Sequence, residues 1–138
     1  MPTINLAELA AAANGFVLHF LAAVALSALF GFCYLQITPY AEFKLIRAGK
    51  TAPALAFTGA VLGFALALAG AIVNSVSFSD MLIWAGVAFF VQTLVFVGVR
   101  LAFADLCERI AGDEIGPAVV LAGFSLAAGV LNAACMSY

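Results

Sequence analysis

Four uninterrupted apolar runs dominate the chain, from about Asn14 to Ile37, Ala52 to Val73, Met81 to Val99 and Gly116 to Ser137. None contains Asp, Glu, Lys or Arg. Each is close to the ~20 residues a helix needs to cross a hydrocarbon core about 30 Å thick. In lipid, only helices and closed barrels satisfy the backbone's polar groups. The runs lack the alternating polar positions of a barrel strand, so the expected fold is all-α, with four transmembrane helices. Composition agrees. The chain is 67% hydrophobic and 9% charged, where soluble domains carry roughly 25% charged residues. So few charges cannot cover a surface facing water. Residues 1–138 are read as a single integral membrane domain with the lipid bilayer as its solvent.

The opening stretch "MPTINLAELAAAANG" carries only Glu8 as a charge. It lacks the basic n-region of a signal peptide and is expected to form an interfacial helix or the start of the first span. Cys33 and Cys107 fall toward one membrane face and Cys135 toward the other, so no disulfide framework is expected.

No Lys or Arg precedes Lys44, yet Lys44, Arg47 and Lys50 lie within seven positions of one another. With four spans, the loop holding these three and the loop holding Arg100 and Arg109 share one side. The termini and "NSVSFSD" share the other, with Glu8 and Asp80 and no cation. The positive-inside rule counts this contrast in short loops. It places both basic loops in the cytoplasm and both termini outside.

Those loops have helical character. Thr38-Pro39 reads as an N-cap with proline at the first helical position. Tyr40, Phe43 and Ile46 then recur at helical spacing, as do Phe103, Leu106 and Ile110 in the second loop, where Asp105, Glu108 and Arg109 turn away. Gly49 and Gly112 break these segments, and Pro53 and Pro117 lead the next spans. Glu42 against three cations leaves the first loop at +2; Asp105, Glu108, Asp113 and Glu114 against Arg100 and Arg109 leave the second at −2. The two faces are expected to pair, within a subunit or between neighbours.

The two halves, about 14–73 and 81–137, repeat one pattern: long apolar span, amphipathic loop, Pro-led span. At an offset of about 64, Pro53, Ala54, Gly59, Leu62 and Ala69 match Pro117, Ala118, Gly123, Leu126 and Ala133. A two-helix unit returns to its starting side. The copies would therefore be parallel, a duplication about an axis along the membrane normal.

Gly59, Gly63, Ala67 and Ala71 fall every fourth residue of the second span, a stripe that lets helix backbones approach closely. Ser125, Gly129 and Ala133 form a similar row in the fourth span; Ala23, Ser27 and Gly31 form one in the first. Such rows read first as packing surfaces and second as the lining of a pore. Trp84 suits an interfacial belt.

The spans hold no Asp, Glu, Lys or Arg, where coupled transport generally requires intramembrane charge, and His19, near the start of the first, is the one titratable candidate for that role. Among uncharged polar residues, Gln92 lies mid-span and Asn132 toward the end of the last. Both need partners, because an unpaired amide in hydrocarbon costs several kcal/mol. Thr58 can bond its own helix. There is no Ser/His/Asp set, no Cys/His metal spacing and no intramembrane carboxylate pair. No catalytic residue, metal, cofactor or nucleic-acid partner is expected, and the chain is not read as an enzyme.

"TPYAEFKLIRAGKTAPALAFTGAVLGFALALAGAI", "DMLIWAGVAFFVQTLVF" and "LNAACMSY" together resemble the YjfL-like bacterial inner-membrane proteins, a family of domains of unknown function (domain of unknown function 350). The resemblance runs from about Phe16 to the end. It implies residence in the bacterial inner membrane, four helices from a duplicated pair, and a loose association with envelope-stress and phage-shock-type genes. The family's marks fall on Thr38, Pro39, Glu42, Leu45, Ile46, Arg47, Gly49, Gly59, Gly63, Gln92, Asn132 and Ala133. Two positions depart from it: Lys50 stands where Asn is common, and Ala67 where a proline often kinks the second span.

Two functions compete. The first is a homo-oligomeric membrane scaffold or envelope-stress-associated component that presents Glu42, Lys44, Arg47, Lys50 and Arg109 to a cytoplasmic peripheral protein. The alternative is an oligomeric channel or transporter for a small solute or ion, its path lined by Gln92, Asn132 and Thr58.

Overall fold

A computed structural model describes residues 3–136 and holds six helices among them: α1 (Leu6–Ile37), α2 (Glu42–Arg47), α3 (Thr51–Asn74), α4 (Phe78–Ala102), α5 (Leu106–Ala111) and α6 (Ile115–Cys135). No strand occurs among the described residues. Helices α1, α3, α4 and α6 are each long and apolar enough to cross a membrane. The expected end of the last span at Ser137 lies outside the described residues.

The opening stretch is the first turns of α1 rather than a separate helix. Asn5 caps it, its Oδ1 accepting from the Ala7 amide at 3.0 Å. The Ala-rich run that follows has high helix propensity and nothing to break it. At 32 residues, α1 is about 48 Å long at 1.5 Å per residue, more than a perpendicular crossing needs. Ser77 starts α4 in the same way, accepting from the Asp80 amide at 3.1 Å.

Thr38 does not cap α2. It ends α1: its amide donates to the Tyr34 carbonyl at 3.0 Å, and its hydroxyl donates to the Leu35 carbonyl at 3.2 Å. Pro39 has no amide hydrogen to continue the ladder. The chain therefore bends through Tyr40 and Ala41 before α2 begins at Glu42.

The closest pairing in the bundle joins α3 to α6. Gly59 faces Ala122, Gly63 faces Ser125 and Gly129, and Gly70 faces Ala133. The partners advance together along both helices, so the two run parallel. A side chain at Gly59, Gly63, Gly70 or Gly129 would overlap backbone atoms of the opposite helix, which is why small residues stand there. Ala67 and Ala71 are buried, yet the contact reaches Ala133 through Gly70, one position from the expected row. At 3.6 residues per turn a strict every-fourth row drifts round the helix, and the seam steps back to stay against α6.

Helix α4 packs on α3 and α6. α1 is the outlying member. Its second half buries Phe30, Gly31 and Tyr34; Phe30 stacks on Phe64 at 4.6 Å and meets Phe89 edge-on at 5.5 Å. Its first half leaves Phe16, Phe20 and Leu21 exposed, as lipid-facing side chains should be.

The short helices end alike. Gly49 has φ 84° and Asp113, 64 positions later, φ 65°. Before the first, Gly49 N bonds Ile46 O at 3.0 Å and Lys50 N bonds Leu45 O at 3.1 Å; at the second, Asp113 N bonds Ile110 O and Glu114 N bonds Arg109 O, both at 3.0 Å. Each is a left-handed C-terminal cap. Glycine suits that conformation, and Asp tolerates it better than most residues.

Candidate functional site around Glu42

At the end of the bundle that carries α2 and α5, the inward face of α2 is not the expected one. Phe43 points outward and is 59% exposed. Glu42 points inward and is 2% exposed. Both Glu42 carboxylate oxygens are sealed from solvent with no hydrogen-bond partner, and so are the Tyr34 and Tyr40 hydroxyls nearby. The position 64 residues on is Leu106, which is buried in α5. Glu42 and Leu106 each begin a short helix, and both are buried.

No cation reaches Glu42: the ion pairs among the described residues are those of Arg109, with Glu114 at 2.9 Å and Asp105 at 4.0 Å. Burial pushes the Glu42 carboxyl from an ordinary 4.5 up to about 8; the Thr38 and Tyr40 hydroxyls, close by though not in a well-formed hydrogen bond, pull the other way. Burial, then the charge of Glu42, raises the Tyr40 phenol. Burial raises the Cys107 thiol while Arg100 lowers it. The group is chemically simple: a carboxyl that is neutral when it stays in place, two phenols and a thiol. Beside it an open cavity of about 350 Å³ is lined by Tyr40, Arg100, Cys107 and Glu108.

The cations of the first loop face outward. Lys44, Arg47 and Lys50 are exposed, and Arg47 lies over the Phe43 ring, 5.6 Å from its centre. The two loops do not pair by charge within the subunit as expected. They meet through one neutral donor instead: Asp113 Oδ1 accepts from the Ala52 amide at 2.9 Å and caps α3. Arg109 turns to its own loop, where Glu114 beside it strengthens its hold on the proton.

The intramembrane polar residues are scattered. Gln92, 2% exposed, donates from Nε2 to the Ser125 carbonyl at 3.1 Å. It sits against the Gly63 seam, and its Oε1 has no partner. Asn132 is two turns farther along α6, its Nδ2 also without one. Thr58 lies exposed on another face of α3. The three do not converge on one path. His19 bonds the Gly15 carbonyl of its own helix at 2.7 Å and meets the Phe78 ring edge-on. Cys33, Cys107 and Cys135 are free thiols, and no cluster of metal-ligating side chains occurs among the described residues.

The family described as Domain of Unknown Function (DUF350) matches residues 5–136. The chain is 40% identical over 123 residues to the UPF0719 inner membrane protein YjfL of Escherichia coli strain K12, covering 89% of this chain and 93% of that one. The protein of the same name from Escherichia coli O157:H7 matches equally. No solved structure matches.

Proposed function

The chain belongs to the DUF350 family of multi-pass inner-membrane proteins, and from that premise we propose that it is a non-enzymatic, homo-oligomeric scaffold serving the envelope-stress response. The α2/α5 end lies in the cytoplasm and both termini in the periplasm. The carrying observation is the exposed face of Phe43, Lys44, Arg47 and Lys50, whose cations have no ion-pair partner among the described residues. Such a face suits an acidic partner, either the −2 loop of a neighbouring copy or a peripheral protein. The matching caps of α2 and α5 and the parallel α3–α6 seam support descent from a duplicated two-helix unit.

A conduit through one subunit gains no support from Gln92, whose amide binds α6. The channel alternative needs a path between subunits.

Sidedness is tested by labelling single cysteines at Lys50 and Ile4 in intact cells; a reachable position 50 overturns the orientation. Crosslinking in native membranes tests the oligomer. Paired Lys44→Glu and Arg47→Glu changes should abolish docking of the cytoplasmic partner while Arg109→Ala spares it. Flux through purified protein in liposomes that changes with Gln92→Leu would favour the channel instead.

A further inference from the structure

We propose that Glu42 is a proton-operated latch: as a neutral acid it holds α2 in a buried socket that lacks any cation, and on ionising it releases α2 with the Lys44, Arg47 and Lys50 face. The inference concerns release of the segment and does not rest on what binds there. Three observations carry it. Both carboxylate oxygens are sealed from solvent and make no well-formed hydrogen bond, so no ligand reaches them while α2 is seated. Glu42 is as deeply buried at the start of α2 as Leu106, an apolar side chain, is at the start of α5. And α2 is only six residues long, joined to α3 through Gly49 in a left-handed turn, with Leu45 and Ile46 half-buried and Glu42 its one fully buried side chain.

The groups around Glu42 offer no counter-charge. Helix α1 contributes Tyr34; the connector contributes Thr38 and Tyr40; α5 contributes Cys107, with Arg100 of α4 acting on that thiol. Helix α3, on which α2 packs, has no titratable side chain between Thr51 and Asn74. Lys44 and Arg47 of α2 itself are exposed. When the carboxyl proton passes to bulk water, the resulting anion has no cation in the socket, and the Thr38 and Tyr40 hydroxyls beside it offset its burial only in part. Its route to solvation is outward, and it takes the helix with it. Burial holds the proton until about pH 8, so release belongs to alkaline conditions.

Amide hydrogen exchange of the 38–50 segment, measured in nanodiscs on both sides of that pH and corrected for base catalysis, tests the latch. Wild-type exchange there should rise about tenfold as Glu42 ionises, a local opening separate from the rest of the fold. The Glu42→Gln variant should stay flat. Identical corrected profiles for the two would overturn the proposal. Should Glu42→Gln fail to fold, infrared spectroscopy of the wild type decides. The other six carboxyl side chains are exposed or half-exposed. A protonated carboxyl band at neutral pH that vanishes together with segment opening supports the latch, and its absence at neutral pH overturns it.

Discussion

Asp113 and Ala52, 61 positions apart, are joined by a 2.9 Å hydrogen bond from the Ala52 amide to the Asp113 carboxylate. One residue therefore does two tasks. It adopts the left-handed turn that ends α5, and it caps the first turn of α3, which has no other side-chain cap. Glycine at the corresponding position 49 supplies the turn alone.

Asp113→Ala should lose both, destabilising the protein by about 1–3 kcal/mol from the missing cap and the strained backbone. Asp113→Asn keeps an acceptor and a tolerated conformation and should cost well under half as much. Asp113→Gly relieves the backbone but not the cap and should fall between. Thermal unfolding in detergent, read by circular dichroism, ranks the three.

The α3–α6 seam predicts a contrast between glycines of one helix. A methyl group at Gly129 would overlap the Gly63 carbonyl, whereas nothing lies within 4 Å of one at Gly123. Backbone cannot give way as a flexible side chain can. Gly129→Ala should cost about 1–3 kcal/mol; Gly123→Ala should be neutral or slightly stabilising through helix propensity. Equal melting temperatures for the two would contradict the close approach.

Gln92 makes one interhelical hydrogen bond and leaves one oxygen unsatisfied. Such bonds in membranes average only ~0.6 kcal/mol, and removing the amide also removes the orphan. Gln92→Met, similar in volume, should shift stability by less than about 1 kcal/mol. Gln92→Glu would bury an acid beside the α3–α6 seam and should reduce yield sharply. Expression level and gel-filtration profile separate these outcomes.

Much of this was legible because lipid allows few solutions. Uncharged runs of span length gave the four long helices, and small residues at helical spacing gave the seam. What failed to show in the sequence was local. Thr38 before Pro39 carries the same signal whether it caps a new helix or ends an old one; the Tyr34 and Leu35 carbonyls decide it. Gly70 was missed because an every-fourth row ignores helical drift. The site at Glu42 was hidden by a sound rule, that a loop carboxylate faces water. The 64-residue offset held the one contrary signal, because it sets Glu42 on Leu106.

That correspondence leads to a prediction about pH. The folded-state pKa of Glu42 is raised, from 4.5 to about 8, so between those values the native protein keeps a proton that the unfolded chain has lost. Stability contributed by this group is complete below the lower value. It falls as pH rises through the window, by at most ~1.4 kcal/mol per unit, and levels off above the upper one. Wild-type melting temperature in detergent should therefore decline from mildly acidic to mildly alkaline pH. Glu42→Leu, which replaces the buried carboxyl with an apolar side chain, should flatten that decline and raise stability most at alkaline pH. Glu42→Gln should flatten it with a smaller gain, since its amide is buried with the same lack of partners. A wild-type curve that rises with pH across this window, or a Glu42→Leu curve that keeps the wild-type slope, would mean that the carboxyl is not held neutral in the folded protein.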